Sequence, residues 1–239
     1  MEIAETDVIF EDNHLIAINK RTGDIVQGDK TGDIPLSEYV KDFLRKKYNK
    51  AGNVYCGVIH RIDRPVSGVV LFAKTSKALA RMNQLIHDRQ IRKYYWAIVK
   101  NVPANPKDDL VHYLFKDERK NKVIVSKDPK DGYLKAEMNY KLVGSSENYH
   151  LLDVELLTGR HHQIRAQLSA IGSPIKGDLK YGFPRSNPDA SICLHAKSVS
   201  FIHPVTLQTT LIKADPPNEK LWNCFAEHTG ITLEEPITE

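Results

Sequence analysis

Apolar residues recur along this chain with two different spacings, and these spacings predict a mixture of helices and strands. A spacing of three or four residues places apolar side chains on one helical face. It predicts helices over residues 37–48, 76–91 and 161–171, and a further helix is expected near 217–228. Short apolar or alternating runs are typical of strands. They predict two strands within residues 6–19 and others at 69–75, 93–99, 122–126, 134–143, 149–157, 192–202 and 205–214.

Strands outnumber helices in this pattern, and most connections between strands are too short to hold a crossover helix. The pattern therefore predicts an α+β fold, in which a mainly antiparallel mixed β-sheet carries a few flanking helices. Ser76 is expected to cap the second helix and Gly172 to end the third. No segment rich in proline, glycine and serine divides the 239 residues, so we expect a single domain over 1–239 with its core at about 8–217.

The composition excludes several classes of protein. Hydrophobic residues make up 41% and charged residues 27% of the chain, which is ordinary for a globular protein and unlike a disordered, collagen-like or coiled-coil chain. The longest apolar runs, at 69–73 and 94–99, are far shorter than the roughly 18 residues of a membrane span. Three widely spaced cysteines, Cys56, Cys193 and Cys224, and an acidic N-terminus without a signal-peptide pattern predict reduced thiols and a cytoplasmic location.

The charge balance permits an anionic partner without requiring one. Lysine and arginine total 34 against 30 acidic residues, a formal net charge of +4. Segment 41–50 holds five basic residues and one acidic residue, and together with 116–130 it is a candidate for phosphate contacts. The sequence has no His-x-x-x-His or paired-cysteine spacing, no glycine-rich phosphate loop and no GxSxG sequence. A metal site, a nucleotide-binding loop and an α/β-hydrolase are therefore not indicated.

The densest group of chemically useful side chains lies in residues 57–75, where a turn-rich stretch leads into an apolar strand. His60, Arg61, Asp63 and Arg64 stand close together there, and loops held by a rigid strand are where catalytic groups collect. Neighbouring cations favour the ionised form of Asp63, and an ionised carboxylate can attack a sugar carbon. Glycoside hydrolysis usually needs a second carboxylate, and no partner of that kind is evident. The alternative interpretation is a solvated turn held by Arg–Asp pairs.

A second segment, residues 156–178, also has a chemical and a structural interpretation. Thr158 or Gly159 is expected to open a short helix whose N-terminal end favours phosphate. Arg160 stands at that end and Arg165 about one turn further along. The alternative is a capped amphipathic helix with two exposed arginines.

Three aromatic residues at 94–96 follow two basic residues in a predicted strand. Tyr95 is expected to face opposite to Tyr94 and Trp96, so that one face packs into the core. Aromatic side chains beside basic residues can also stack on a displaced nucleotide base.

Several sequence blocks carry a resemblance to a known family. The string HRIDRPVSG at 60–68 resembles the central motif of the RluA-type pseudouridine synthases, and KYYWA at 93–97 is similar to their Lys-x-Tyr-x-Ala strand. TGRHHQIR at 158–165, continued by IGSPIKGDLKYG at 171–182, resembles their second strong motif. LHAKSVSFIHP at 194–204 resembles their closing strand. The N-terminal RNA-binding module that longer members carry is not expected here.

The resemblance implies a pseudouridine synthase-like fold and an isomerase that converts a uridine of structured ribosomal or transfer RNA to pseudouridine. The base is extruded from its stack. Asp63 then starts cleavage of the N1–C1′ bond, either by attack on C1′ or by removal of a 2′ proton. Tyr95 stacks on the base, and Arg165 is expected to pair with Asp63. The isomerisation is redox-neutral and moves no phosphate, so the resemblance implies no cofactor and no metal.

The resemblance also implies an RNA-binding surface around these catalytic residues. The substrate-binding residues that it implies are His60, Arg61, Arg160, His162 and Gln163. Arg61 is expected either to help occupy the place that the base vacates or to hold the extruded nucleotide. RNA is the expected partner, no membrane and no obligate protein partner is implied, and a monomer is expected. The alternative is a non-catalytic RNA-binding or RNA-chaperone protein, which would have no need of Asp63.

Overall fold

The computed structural model describes residues 2–29 and 31–229. Eleven strands occur within these residues: β1 (Val8–Glu11), β2 (Leu15–Lys20), β3 (Gly57–Val58), β4 (Ser67–Ala73), β5 (Arg92–Val99), β6 (Lys107–Asp117), β7 (Lys122–Ser126), β8 (Leu134–Ser145), β9 (His150–Leu156), β10 (Leu194–Ile202) and β11 (Thr209–Lys213). The α-helices are α1 (Leu36–Lys47), α2 (Ser76–His87), α3 (Gln163–Ala170) and α4 (Lys220–Thr229). Single turns of 3-10 helix occur at Glu5–Asp7 and Leu179–Tyr181.

The described residues form two compact units, and the chain passes through each of them twice. Residues up to Arg92 and the segment Ala196–Asp215 form the first unit, and Lys93–His195 with the residues from Pro216 onward form the second. The single domain expected from the sequence stays a prediction. Within the described part of the chain, every helix is too short or too polar to cross a bilayer.

The first unit is built around β4, a strand whose seven residues are all buried. β2 pairs antiparallel with β4, β1 lies beyond β2, and β3 pairs with the end of β4. β10 follows β4 in the sheet and pairs antiparallel with β11. A continuous apolar run suits a strand that is covered on both faces. Met82 of α2 packs in the same buried cluster as Leu15 of β2 and Leu71 of β4.

The second unit holds an antiparallel sheet in the order β5-β9-β8-β6-β7. Burial alternates along β6, where Leu110, His112 and Leu114 are buried between more exposed neighbours. Such alternation marks a strand with one packed face and one solvated face. α3 covers the packed face, since its Ala166 lies in the same buried cluster as Leu114.

The α+β class is confirmed, and the four predicted helices are found with shifted ends. α2 is capped by Thr75, whose Oγ1 accepts a first-turn amide hydrogen at 3.1 Å, and not by Ser76. α2 ends at His87, four residues before the predicted end. Gly172 follows α3 with a φ of +85°, as expected of a glycine that ends a helix.

Candidate active site

Asp63 lies in the loop that joins β3 to β4. The chain before this loop runs antiparallel to the second half of β4, since the amide of Ile59 donates to the carbonyl of Leu71 at 3.3 Å. The chain must therefore reverse to enter β4 at Ser67, and within that turn the amide of Val66 donates to the carbonyl of Asp63 at 3.0 Å. The Asp63 side chain is partly exposed. A loop with both ends fixed on a buried strand thus presents a carboxylate.

His60 and Arg61, both predicted to bind substrate, have different surroundings in this loop. The amide of Leu71 donates to Nε2 of His60 at 3.2 Å, so this nitrogen is an acceptor held by β4. Arg61 is exposed, and its guanidinium forms no hydrogen bond or ion pair with another described residue. Arg61 is therefore a cation available to an external partner.

A buried lysine that the sequence interpretation did not single out anchors the same loop. Lys20, at the end of β2, is only 1% exposed. Its ammonium donates to the carbonyl oxygens of Arg21, Asp24 and Arg64 at 2.8, 2.9 and 3.1 Å. Burial lowers the pKa of Lys20 to about 8, although the carboxylates of Asp24 and Asp63 favour its charged form.

Arg64, which follows Asp63 in the sequence, forms hydrogen bonds with other residues of the first unit. Its Nε donates to the carbonyl of Gly23 at 2.9 Å, and its Nη2 donates to the carboxylate of Asp33 at 2.6 Å. The amide of Gly23 in turn donates to the carbonyl of Arg64 at 2.9 Å. These contacts give Arg64 the role of fixing the loop, and Arg61 is the arginine of the motif that has no partner within the described part of the chain.

Gly68, the last residue of the HRIDRPVSG string, is required by the close approach of two strands. Its φ is +115°, and a Cβ at this position would lie 2.2 Å from the carbonyl oxygen of Ala196 in β10. Only glycine fits such a contact together with a positive φ. The motif glycine thus allows the chain to enter β4 directly beside the loop of Asp63.

Tyr95 lies in β5 of the second unit, opposite Val154 of β9. Tyr95 and the next residue, Trp96, are both buried. The Trp96 ring lies 6.5 Å from that of His195, which lies 6.0 Å from the ring of Trp222. The Trp96 face of the strand therefore packs into an aromatic cluster, as expected, and Tyr95 alternates to the other face.

The side chain of Gln163 holds the preceding loop on β8. Its amide donates to the carbonyl of Glu137 at 3.0 Å, and its Oε1 accepts hydrogen bonds from the amide of Arg160 at 3.0 Å and the hydroxyl of Thr158 at 2.8 Å. The amide of Glu137 donates to Thr158 Oγ1 at 2.8 Å. These contacts shape the loop that carries the exposed Arg160, and the expected role of Gln163 in substrate binding stays a prediction.

α3 begins at Gln163, two residues later than predicted. His162 precedes it in the left-handed region, with φ 49° and ψ 27°, a conformation that is uncommon for a residue other than glycine. His162 is buried, and its Nδ1 lies 2.9 Å from Oη of Tyr181. The ring of His161 stacks on that of His162 with centroids 3.8 Å apart. α3 thus begins directly after His162 and not at Thr158 or Gly159.

Arg165 is buried, so the alternative that made it an exposed arginine of an amphipathic helix is wrong. Its guanidinium forms two parallel hydrogen bonds with the carboxylate of Asp178, from Nε to Oδ2 at 2.7 Å and from Nη2 to Oδ1 at 2.9 Å. The sequence interpretation missed Asp178, although this residue stands within the IGSPIKGDLKYG string. The expected pairing of Arg165 with Asp63 stays a prediction.

The basic segment 41–50 is largely neutralised by carboxylates of the first unit. Four ion pairs account for this, namely Lys41 with Glu38, Arg45 with Asp42, Lys46 with Glu2 and Lys47 with Glu11. Exposed pairs contribute little to stability, but they reduce the positive charge that is offered to phosphate. A phosphate-binding role for this segment stays a prediction.

Comparison with known proteins gives the family of this chain. The model of the RNA pseudouridylate synthase family matches residues 14–170, more than half of the sequence. The chain therefore belongs to the RNA pseudouridylate synthase family, and the resemblance seen in the sequence motifs is confirmed.

Two curated relatives are similar over most of the chain. It is 31% identical to tRNA pseudouridine synthase C of Haemophilus ducreyi over 252 residues, which cover 94% of this chain and 97% of the relative. It is 30% identical to ribosomal large subunit pseudouridine synthase C of Buchnera aphidicola subsp. Baizongia pistaciae over 215 residues, which cover 87% of this chain and 66% of that relative.

Two solved human structures share the fold. RNA pseudouridylate synthase domain containing 4 superposes with a TM-score of 0.76 at 20% identity, covering 91% of both chains. RNA pseudouridylate synthase domain containing 1 superposes with a TM-score of 0.70 at 17% identity, covering 94% of this chain and 90% of that one. The pseudouridine synthase-like fold expected from the sequence is confirmed.

Proposed function

We propose that this chain isomerises a uridine of structured RNA to pseudouridine and that Asp63 starts the reaction. The observation that supports the proposal most strongly is the setting of Asp63. Its carboxylate is partly exposed in a loop fixed on a buried strand, and the buried ammonium of Lys20 is bonded to the same loop. Arg61, which has no partner among the described residues, stands two residues away. Membership of the family supplies the class of reaction.

The reaction breaks the N1–C1′ bond of the nucleotide and forms a C5–C1′ bond. Asp63 begins it by attacking C1′ or by removing the 2′ proton, and uracil leaves as a delocalised anion that needs little help from an acid. The ring then rotates and C5 joins C1′, which breaks the bond between C1′ and Asp63 on the first route and is accompanied by return of the 2′ proton on the second. The C5 proton is lost and N1 gains a proton, so the product is an isomer of the substrate and no cofactor is called for.

The other predicted residues take roles around this step. Arg165 pairs with Asp63 and orients its carboxylate. Tyr95 stacks on the uracil and takes part in removing the C5 proton. Arg61 enters the place that the extruded base vacates, and extrusion itself costs a few kcal/mol of stacking and pairing. The remaining substrate contacts come from His60, Arg160, His162 and Gln163, and Gln163 also shapes the loop beside them.

The RNA partner is ribosomal or transfer RNA. One relative is named for transfer RNA and the other for the large ribosomal subunit, so both classes are substrates to test. The protein acts as a monomer in this proposal. If basic side chains contact the phosphates, the affinity for RNA will fall steeply with salt.

The test measures the proton that leaves C5. Unmodified ribosomal and transfer RNA transcripts with tritium at uridine C5 are incubated with the protein, with Asp63→Asn and with Asp33→Asn. Asp33 is the matched control, because it is an exposed carboxylate joined to the loop through Arg64. We expect tritium release by the wild type and Asp33→Asn, release at background by Asp63→Asn, and RNA binding by all three.

Two outcomes would count against this function. Equal release by the wild type and Asp63→Asn would remove Asp63 from the chemistry. RNA binding by the wild type without release from either RNA would favour the alternative, a non-catalytic RNA-binding protein.

A further inference from the structure

Arg165 and Asp178 form the most deeply buried ion pair described in the second unit. Their side chains are only 6% and 1% exposed. The pair uses Nε and one Nη2 hydrogen, two of the five N–H groups of the guanidinium. Two parallel hydrogen bonds to one carboxylate fix both the position and the plane of a guanidinium.

The face of the same guanidinium is covered by Tyr181. The Cζ atom of Arg165 lies 5.1 Å from the centroid of the Tyr181 ring, within the range of a cation–π contact. The hydroxyl of Tyr181 accepts a hydrogen bond from the amide of Val123 at 2.9 Å and lies 2.9 Å from Nδ1 of His162. The ring is therefore held between β7 and the start of α3.

Asp178 and Tyr181 belong to one tight turn. The amide of Tyr181 donates to the carbonyl of Asp178 at 3.1 Å. Gly177, just before the turn, has a φ of +87°, and a Cβ there would lie 2.7 Å from the carbonyl oxygen of Ser191. Steric contact thus restricts the backbone of this turn. Asp178 contacts the edge of the Arg165 guanidinium, and Tyr181 contacts its face.

Stability alone is a weak reason for such a pair. Burying two charges costs several kcal/mol per ion, and apolar residues of similar volume are often as stabilising. A buried carboxylate also cancels the charge of the arginine, so the pair offers directed N–H donors more than net positive charge. This arrangement suits a group that must be aimed and that must stay in place when the substrate leaves.

We propose that Asp178 is a positioning residue for the reaction, which acts by fixing the orientation of Arg165, with Tyr181 as its support. The inference rests on the proposed function, in which Arg165 pairs with Asp63. The turn within IGSPIKGDLKYG therefore orients the catalytic groups and does not contact RNA. Loss of Asp178 therefore slows the chemical step and leaves the affinity for RNA unchanged.

The experiment compares Asp178→Asn, Asp178→Glu and Glu11→Gln with the wild type. Asp178→Asn keeps the size of the side chain but removes its charge and one of its two acceptors. Glu11→Gln is the matched control, because it breaks another ion pair, with Lys74, whose side chains are both 10% exposed. Thermal unfolding, the dissociation constant for RNA and the single-turnover rate of tritium release from C5-labelled RNA are measured for each.

We expect Asp178→Asn to lower the single-turnover rate about 10- to 100-fold, with the dissociation constant for RNA unchanged. Asp178→Glu keeps the carboxylate and is expected to recover part of the rate. Glu11→Gln is expected to lose stability and keep its rate. A folded Asp178→Asn that keeps the wild-type rate would overturn the inference, and so would a variant that loses only RNA affinity. In either case, tritium release by the wild type would still support the proposed function.

A second variant covers the case in which Asp178→Asn does not fold. Tyr181→Phe keeps the ring under the guanidinium but removes the hydroxyl that Val123 and His162 contact. We expect a smaller reduction in single-turnover rate with unchanged RNA affinity, and an unchanged rate in the folded variant would overturn the inference. Absence of tritium release by the wild type would overturn the proposed function and this inference together.

Discussion

The ammonium of Lys20 donates a hydrogen bond to the carbonyl oxygen of Arg64, 3.1 Å away, and so joins the end of β2 to the loop of Asp63. Two further carbonyl oxygens, of Arg21 and Asp24, accept hydrogen bonds from the same nitrogen. A buried ammonium that serves three acceptors replaces water for all of them. The buried ammonium of Lys20 therefore holds the loop that presents the Asp63 carboxylate.

Lys20→Met is expected to destabilise the protein by about 2 kcal/mol. The carbonyl oxygens of Arg21 and Asp24 lose their donor, while the carbonyl of Arg64 keeps the amide of Gly23. A buried acceptor left without a donor costs about 1 kcal/mol or more. The cost of these unpaired acceptors exceeds the free energy that is gained because an ammonium is no longer buried. Urea unfolding at pH 7 checks the value, with Lys77→Met as the control, because Lys77 is exposed on α2. Equal stability of the two variants would show that Lys20 does not anchor the loop.

Gly68→Ala is expected to prevent folding or to cost more than about 3 kcal/mol, because a new Cβ would collide with the backbone at Ala196. Gly23→Ala is the matched control. Gly23 also has a positive φ, +90°, but no atom lies within 4 Å of its ideal Cβ. It should therefore lose only the roughly 1 kcal/mol of left-handed backbone strain. Thermal unfolding of both variants separates the two effects, and losses of the same size would rule out the predicted collision.

The carboxyl of Glu11 provides a test by pH. Burial alone would raise the pKa of Glu11, but hydrogen bonds from Lys74, Tyr48 and Lys47 outweigh it and lower the pKa from 4.5 to about 2. The stability from this carboxylate is therefore fully present above pH 4.5 and is lost as the pH falls toward 2, since protonation favours the unfolded state. Its upper limit is about 3 kcal/mol.

Glu11→Gln should consequently be less stable than the wild type at pH 7, and the difference should shrink between pH 4.5 and pH 2. Unfolding by urea at several pH values measures it. Glu38→Gln, which removes an exposed partner of Lys41, is expected to change stability by less than about 0.5 kcal/mol. A difference for Glu11→Gln that stays constant with pH would contradict the depressed pKa.

The two arginines that flank Asp63 are expected to behave oppositely. Arg61→Ala should leave the free energy of unfolding within about 0.5 kcal/mol of the wild type and lower tritium release about tenfold or more, because its side chain is free for RNA. Arg64→Ala should lose about 1–2 kcal/mol of stability, because Gly23 and Asp33 lose their contacts with it. Unfolding curves and tritium-release rates for both variants test this contrast. A loss of stability in Arg61→Ala would contradict it.

Local patterns in the sequence predicted the elements whose signal is local. The run KVIVS matches β7 residue for residue, and the apolar face over 37–48 matches α1 within one residue at each end. β6 was missed because Lys107, Asp108 and Asp109 open it with side chains that strands disfavour. The buried face of β6 is created by α3, whose contact with it depends on residues far along the chain.

The site was predictable to the extent that motif residues stand near one another in the sequence. Asp63 and its flanking arginines could be found in this way, whereas Asp178 is 13 residues from Arg165 and its contact exists only in the folded turn. Lys20 reads as the polar end of an apolar strand, and its burial depends on the carbonyl of Arg64, 44 residues away. Non-local contacts of this kind leave no periodic signal.

The central claim to test is that the carboxylate of Asp63 starts the conversion of uridine to pseudouridine. The most direct measurement digests unmodified ribosomal and transfer RNA transcripts to nucleosides after incubation with wild-type protein or Asp63→Asn, and quantifies pseudouridine by chromatography. We expect pseudouridine in the wild-type digest of at least one RNA and none with Asp63→Asn. Uridine alone after wild-type treatment of both RNAs, or equal pseudouridine from the two proteins, would contradict it.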